Sequence, residues 1–218
     1  MFYLKKKSQK GDQVKNSIKI FYFTITVVLS MAGCTSPTPA MQEYRLSEAL
    51  PPFQAIKTAC HTKTLKVEPA ISSTLYKSSK MYYAQGPYAQ YSYSQSRWIE
   101  NPSSKITKKV TRFLRKMKLF GSVQNAESKT KNNLSLEITI EDFMQYFDEN
   151  NQNSYVNVVI TFSFINLKTH KIYATKTFQS KLKTQTNDAL GGVKALDKGL
   201  YNVLDESSLW IKGICFDK

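Results

Sequence analysis

The side chains best suited to metal or nucleophilic chemistry are three cysteines and two histidines. Cys60 and His61 are adjacent and could begin a metal site, but no cluster of matching ligands follows them in the sequence. The other histidine, His170, lies far along the chain. The sequence therefore predicts no bound metal and no cofactor, and it places both imidazoles on the surface.

Two pairs of carboxylates flank a predicted hairpin loop, Glu141 with Asp142 and Asp148 with Glu149. Paired carboxylates serve acid–base catalysis, but no base or nucleophile accompanies these four. The chain also lacks the glycine-rich, serine-hydrolase and zinc-protease motifs. We therefore predict a protein that is not an enzyme, in which these side chains are solvated loop charges.

Cys34 follows a segment with the pattern of a signal peptide. Residues 1–19 contain six lysines and one aspartate, and residues 20–32 form an uncharged apolar run. This run is shorter than the roughly 20 residues that a membrane-spanning helix needs. Removal of residues 1–33 would lower the net charge of the chain from +15 to +10, so the mature protein would remain basic.

The sequence LSMAGC, which ends at Cys34, resembles the lipobox of bacterial lipoproteins. Ala32 and Gly33 are the small residues expected before the cut, although Met31 stands where leucine is commoner. The resemblance implies that the Cys34 thiol receives a diacylglycerol and its freed amine a further acyl chain, which together anchor a protein firmly. Thr35, rather than aspartate, favours the outer membrane by similarity to the sorting rule of enteric bacteria. The alternative is an uncleaved anchor with an incidental cysteine.

Residues 34–58 are predicted to be the lipidated N-terminus and a flexible tether. They begin rich in proline, serine and threonine and show no sustained hydrophobic period. Residues 59–218 are predicted to be one folded domain, which is long enough for a single hydrophobic core.

Alternating apolar residues predict strands, and apolar residues at helical spacing predict two amphipathic helices. A tyrosine-rich hairpin turns at the sequence GPY, and three later strands form an antiparallel meander. The expected fold class is α+β, with an antiparallel-rich sheet and two amphipathic helices packed on one face. The predicted strands are 64–71, 80–85, 89–95, 132–142, 155–167 and 171–182, and the predicted helices are 102–120 and 187–207.

Two surfaces are candidate interfaces. Tyrosines crowd the hairpin, and Tyr91 and Tyr93 share a face because alternate strand residues point the same way. The first helix and its end carry seven basic residues and no acid, which would suit anionic headgroups or an acidic partner. The alternatives are a half-buried aromatic sheet and a solvated helix face. The candidate interface residues are Tyr83, Tyr91, Tyr93, Trp98, Lys109 and Arg112.

Acylation of Cys34 would leave Cys60 and Cys215 as the cysteines of the mature domain. An oxidising periplasm favours a disulfide between them, which would tie the first strand to the C-terminal segment. Two separate buried thiols are the alternative, and the sequence leaves the choice open.

The order of elements resembles the ABC-type transport auxiliary lipoprotein family, which includes paraquat-inducible C-like lipoproteins. The resemblance covers residues 60–210 and rests on LKVEPAISSTLYKSSKMYYAQ and YSQSRWIENPSSKITKKVTRFLRKMKLFGSV. The lysine-rich helix and the asparagine-rich loop depart from the family pattern. The matching family positions fall on Tyr83, Tyr93, Trp98, Pro102, Leu119, Phe120 and Val123.

The resemblance implies a non-enzymatic lipoprotein on the periplasmic face of the outer membrane, held by acyl chains on Cys34. Its partners would be a mammalian-cell-entry (MCE) protein and an inner-membrane ABC transporter, which move phospholipids or other apolar molecules across the periplasm. A homo-oligomer would suit a tubular conduit. Nucleic acid also attracts basic proteins, but an exported chain gives no reason to expect it. The alternative function is a structural envelope lipoprotein of a secretion or flagellar apparatus.

Overall fold

The computed structural model describes residue 19, residues 40–53 and residues 59–215. The chain divides into two compact units, Met1–Pro39 and Ala40–Lys218. The predicted signal peptide 1–33 lies almost wholly outside the described residues, as does Cys34. The described part of the second unit contains a nine-stranded sheet, two α-helices and two 3-10 helices.

The elements of the second unit are numbered here in chain order. The strands are β1 (Gln42–Tyr44), β2 (Thr64–Val67), β3 (Ile71–Ser72), β4 (Lys80–Gln85), β5 (Ala89–Trp98), β6 (Ser122–Asn125), β7 (Leu134–Phe147), β8 (Ser154–Asn166) and β9 (Lys171–Lys183). The helices are α1 (Pro102–Met117) and α2 (Ala189–Ile214), and the 3-10 helices are Ala59–Thr62 and Thr74–Lys77.

Strand β7 is the axis of the sheet. Along one edge it pairs antiparallel with β8 over its whole length, and β8 pairs antiparallel with β9. Along the other edge, three short strands pair with β7 one after another. Strand β2 pairs with residues 134–136 of β7, β3 with residues 139–140 and β4 with residues 145–147. These three short strands all run parallel to β7.

The α+β class is confirmed, but the expectation of an antiparallel-rich sheet is wrong. Five of the eight strand pairs are parallel, and the sheet is mixed. Alternation along a strand shows that one face is buried, but it does not show which strand lies alongside. Helix α1 connects β5 to β6, and β6 lies parallel to β2.

Helix α1 begins where the sequence predicts. The Asn101 side chain caps it by accepting a hydrogen bond from the Ser104 N–H, and Pro102 occupies the first turn. The helix ends at Met117, three residues earlier than expected, because Lys118 adopts the left-handed conformation, at φ 53°. Gly121 permits a close approach, since a Cβ there would lie 2.5 Å from the His61 carbonyl oxygen. The predicted apolar stripe is buried: Ile106, Val110, Phe113, Leu114 and Met117.

Helix α2 packs against β7, β8 and β9, with α1 beside it. The Asp188 carboxylate caps it by accepting a hydrogen bond from the Gly191 N–H at 2.7 Å. That bond, followed by the Thr186 hydroxyl, lowers the pKa of Asp188. The Trp210 ring lies 5.7 Å from both Phe164 and Phe178, which closes the core at the other end of the helix.

Gly192 lets α2 approach the sheet. A Cβ at this position would lie 2.0 Å from Gln145 Oε1. The buried Gln145 amide accepts from the Tyr93 hydroxyl and donates to Ser154 and to the Asp188 carbonyl. Any side chain at position 192 must therefore displace an amide that holds three partners.

Gly192→Ala should lower the free energy of unfolding by about 1–3 kcal/mol, the usual cost of overpacking, despite the higher helix propensity of alanine. Urea denaturation measures this change. Gly213→Ala is the matched control in the same helix, since a Cβ there meets nothing within 4 Å, and it should be neutral or stabilising. Equal effects at the two positions would show that backbone freedom, not contact with Gln145, explains Gly192.

Residues 40–53, which the sequence assigns to the tether, pack against the domain. Strand β1 pairs in parallel with residues 96–98 of β5, and the Leu46 side chain is buried. The Ser47 N–H and hydroxyl both donate to the Asp197 carboxylate of α2, at 3.0 and 2.6 Å. The compact unit therefore begins at Ala40 rather than at residue 59.

A disulfide joins Cys60 to Cys215, with their Cα atoms 5.3 Å apart. It links the 3-10 helix before β2 to the residue that follows α2. Tyr173 reinforces the same region, because its hydroxyl donates to the Ile214 carbonyl and its ring lies beneath the Lys63 ammonium.

Candidate functional site

The tyrosines of the β4–β5 hairpin form one aromatic cluster. The Tyr83 ring lies 5.6 Å from Tyr91, 4.7 Å from Tyr93 and 5.2 Å from Phe147. Tyr93 is the structural member, since its hydroxyl donates to Gln145 at 2.9 Å and burial raises its pKa. Tyr91 is 47% exposed. The cluster thus combines a half-buried aromatic sheet with an accessible edge.

Two of the predicted interface residues lie in the interior, and both expectations are wrong. Trp98 is only 6% exposed, and its ring lies 6.3 Å from Phe143. The Lys109 side chain is fully buried, and its ammonium donates to Asp197 at 2.9 Å and to the Ser47 carbonyl at 3.1 Å. Neither residue is available to a partner in this conformation, because each is covered by other parts of the domain.

Most basic side chains of helix α1 pair with other residues of the same domain. Arg112 and Lys105 both pair with Glu48, and Lys108 pairs with Glu100. The hydrogen bond from Lys105 lowers the pKa of Glu48. Arg112 also donates to the Glu48 carbonyl, and Lys116 donates to the Pro51 carbonyl. The predicted anionic-headgroup surface is therefore largely covered by residues 47–51, although Arg112 remains partly exposed.

A groove of about 670 Å³ opens on the outer face of the sheet, which is the face away from α2. Its volume is within the range of ligand-binding clefts. Most of its lining residues are aromatic or apolar, and two of them carry carboxylates. Its lining residues are Leu75, Tyr76, Ala84, Gly86, Pro87, Tyr88, Ala89, Gln90, Glu141, Asp142, Met144, Tyr146, Phe147 and Tyr155.

Asp142 organises this groove. Its carboxylate accepts hydrogen bonds from the Tyr76 hydroxyl at 3.1 Å, the Tyr146 hydroxyl at 2.8 Å and the Asn157 amide at 2.7 Å. Burial, aided by the same carboxylate, raises the pKa of Tyr76 and Tyr146, so both phenols remain donors at neutral pH. The Tyr146 ring stacks on Tyr155 at 5.2 Å.

Glu141 and Asp142 lie within strand β7, which continues past the end of the predicted strand 132–142, so they are not loop charges. A β-bulge between Ile140 and Asp142 turns both side chains to the outer face. Among residues 40–53 and 59–215, neither carboxylate has an ion-pair partner. Only the second pair fits the expectation, since Asp148 lies in the β7–β8 loop. Hydrogen bonds to the Asp148 carboxylate, first from the Asn153 side chain and then from the Asn153 and Gln152 N–H groups, lower the pKa of Asp148.

The described part of the chain has no group of three or more His, Cys, Asp or Glu side chains placed to hold a metal ion. Among the described residues, no helix combines the length and apolar character needed to cross a bilayer. The arrangement in the groove can bind through aromatic faces and carboxylates, and it holds no set of nucleophile and base.

The model of one protein family matches residues 44–206, from β1 into the last turns of α2. That family is described as the ABC-type transport auxiliary lipoprotein component. The chain belongs to this family. The resemblance drawn from the sequence is thereby confirmed, and the protein is an auxiliary lipoprotein of ABC-type transport. A comparison with curated proteins produced no match.

Two solved structures show the same fold as this auxiliary lipoprotein. Protein XCC0632 from Xanthomonas campestris has a TM-score of 0.64 at 13% identity, covering 82% of this chain and 94% of its own. A second structure, of an uncharacterized protein, has a TM-score of 0.58 at 14% identity, covering 79% and 99%. At these identities the likeness concerns the fold alone.

Proposed function

We propose that this auxiliary lipoprotein is anchored to the outer membrane by acyl chains on Cys34 and serves an MCE-type ABC transporter without being an enzyme. The transporter would move phospholipids or other apolar molecules across the periplasm. The observation that carries the proposal is the family match, which extends over nearly the whole compact unit. The Cys60–Cys215 bond supports an oxidising compartment, because structural disulfides persist there.

The groove on the outer face is the proposed docking site for the MCE protein. Its aromatic walls would hold an aliphatic or cationic side chain, and Glu141 and Asp142 supply charge that no cation of the described residues neutralises. The mature chain, without residues 1–33, would be basic, with a net charge of +10. A locally acidic groove on a basic protein therefore selects a lysine- or arginine-bearing segment of the partner.

Glu141→Lys should reduce recovery of the partner about tenfold, since it places a cation where a cation is expected to bind. The measurement is affinity capture of the tagged full chain from detergent-solubilised membranes, followed by quantification of the MCE protein and its ATPase. Glu141 is exposed, and the substitution leaves the Asp142 hydrogen bonds in place. Glu137→Lys is the matched control, on the same strand and face but outside the groove.

Capture of flagellar or secretion components, with no MCE protein, would contradict the proposed transport role and favour the structural alternative. Equal loss of the MCE protein with Glu137→Lys and Glu141→Lys would retain the transport role but remove the groove as the docking site.

A further inference from the structure

The end of the sheet at which β2, β6 and β7 begin is strongly basic. Strand β8 ends there and β9 begins there, because β8 runs antiparallel to both β7 and β9. The segments that form this surface are residues 61–63, 118–121, 126–133 and 167–171, and their one acid is Glu127. This surface is the basic end of the sheet. Its six lysines are Lys63, Lys118, Lys129, Lys131, Lys168 and Lys171.

Backbone hydrogen bonds hold the segments of the basic end together. The Gly121 N–H donates to the Lys63 carbonyl at 2.9 Å. The Asn133 N–H donates to the Thr64 carbonyl at 3.0 Å, and the Asn133 carbonyl accepts from the Leu167 N–H at 3.0 Å. The lysines are therefore carried by one connected surface and not by separate projections.

The charge of the basic end is not neutralised within the described part of the chain. None of its six lysines forms an ion pair with another described residue. Lys63 is partly buried, and its ammonium lies 5.0 Å from the Tyr173 ring centroid, whereas the other five lysines are exposed. Helix α1 differs, because Lys105, Lys108 and Arg112 pair with acids of the domain. The lysines of the basic end thus remain available to an anionic partner.

An exposed isoleucine adjoins these lysines. Ile172 follows Lys171 in the chain, is 67% exposed and pairs with Ile165 of β8. Lysines attract anionic headgroups, and an apolar side chain beside them can enter the bilayer interface, so the two together suit a lipid surface. An acidic protein segment would use the lysines but would supply little apolar surface to cover Ile172. The combination therefore favours lipid.

We propose that the basic end binds the surface of an anionic bilayer, with its lysines on the headgroups and Ile172 in the interface. Each lysine at such a surface strengthens binding about fivefold, and the attraction is screened by salt. The contact requires neither acylation of Cys34 nor the groove that contains Glu141. Because the groove lies beside the second half of β7, it would face away from the lipid and stay accessible to the MCE protein.

Vesicle binding of residues 34–218 with Cys34→Ala tests the contact in the absence of an acyl anchor. This chain retains the whole compact unit Ala40–Lys218. It should sediment with vesicles that contain phosphatidylglycerol but not with vesicles of phosphatidylcholine alone. Because the attraction is electrostatic, about 0.5 M salt should release it.

Neutralisation of two lysines shows whether the basic end is the surface that binds. Lys129→Gln combined with Lys131→Gln should weaken binding to phosphatidylglycerol vesicles about thirtyfold, since each lysine contributes about fivefold. Lys183→Gln combined with Lys194→Gln is the matched control. Both of these lysines are exposed, at the end of β9 and in the first turns of α2, which is the opposite end of the sheet. The control should keep the affinity of the parent chain.

Ile172→Trp tests the apolar part of the contact. Its tryptophan emission should shift to shorter wavelength on phosphatidylglycerol vesicles, because the ring enters the interface. Tyr88→Trp is the control, since Tyr88 is 98% exposed at the β4–β5 turn, away from the basic end, and its emission should not shift.

Three results would overturn the lipid contact. They are no binding to phosphatidylglycerol vesicles, equal losses with the two lysine pairs, and equal emission shifts at positions 88 and 172. If Lys129→Gln with Lys131→Gln lowers capture of the MCE protein but not vesicle binding, the basic end binds an acidic segment of that partner and not lipid. Capture with Glu141→Lys is a separate measurement, so failure of the proposed transport role would leave the vesicle result unchanged.

Discussion

Asp197→Ala should destabilise the domain by about 3–5 kcal/mol, the cost of leaving one partner of a buried ion pair uncompensated. The Lys109 side chain has no exposed surface, and without Asp197 its ammonium keeps only the Ser47 carbonyl, at 3.1 Å. The substitution also removes both hydrogen bonds that Ser47 donates to the carboxylate. Urea denaturation measures the loss of stability.

The same substitution should release the N-terminal segment before the domain unfolds. Ser47 links residues 40–53 to α2 through Asp197, and Arg45 nearby is exposed. Cleavage by trypsin after Arg45 should therefore become faster in Asp197→Ala, at a urea concentration where the sheet remains folded.

Lys109→Met is the control, because methionine retains most of the aliphatic volume and removes the charge. Asp197 is 23% exposed and can be hydrated in this variant, so the cost should be smaller. The double variant should be more stable than Asp197→Ala alone, since it contains no buried unpaired cation. If Asp197→Ala lowers the free energy of unfolding by no more than Lys109→Met does, the Lys109–Asp197 pair does not hold residues 40–53 against α2.

The position of Lys109 shows what sequence reasoning could have found. Lys109 lies three residues after Ile106 and four before Phe113, so it falls on the apolar stripe that correctly predicted helix α1. Its residue type suggested the surface, and its spacing placed it in the core. The acid that neutralises it comes from α2, and no local pattern reveals such a distant partner.

Asp142 is a similar case. Apolar residues occupy even positions up to Ile140, and Phe143 and Phe147 occupy odd positions, but Met144 and Tyr146 obscure this change of parity in the sequence. A one-residue shift in an otherwise regular strand indicates a bulge, which re-aims the side chains beside it. The hydrogen bonds that Tyr76 and Asn157 donate to Asp142 come from other elements and could not be inferred.

Local sequence patterns could not predict the order of strands in the sheet or the packing of residues 40–53. Strand β1 has three residues, too few for a period, and it is held by pairing with β5 and by the contacts of Ser47. The positions of β2, β3 and β4 beside β7 depend on pairing between strands that are distant in the sequence. Strand and helix types were predictable because they depend on spacing within one element, whereas parallel pairing depends on contacts between distant ones.

Loss of the disulfide is the second large effect that we expect. Replacing both Cys60 and Cys215 with serine should lower the free energy of unfolding by about 2–5 kcal/mol, because the bond closes a very long loop in the unfolded chain. The two cysteines are 155 residues apart, and both are buried. The bond connects the 3-10 helix before β2 to the residue after α2, so its loss frees the C-terminal end of the domain from the sheet.

Denaturation of the Cys34→Ala protein with and without reductant measures the effect on a chain whose only other cysteines are this pair. Reduced protein should unfold at the same urea concentration as the double serine variant, and oxidised protein at a higher one. A thiol reagent should modify neither cysteine of the denatured, unreduced protein. Modification of both would show two separate buried thiols, and it would remove the support that this bond gives to an oxidising compartment.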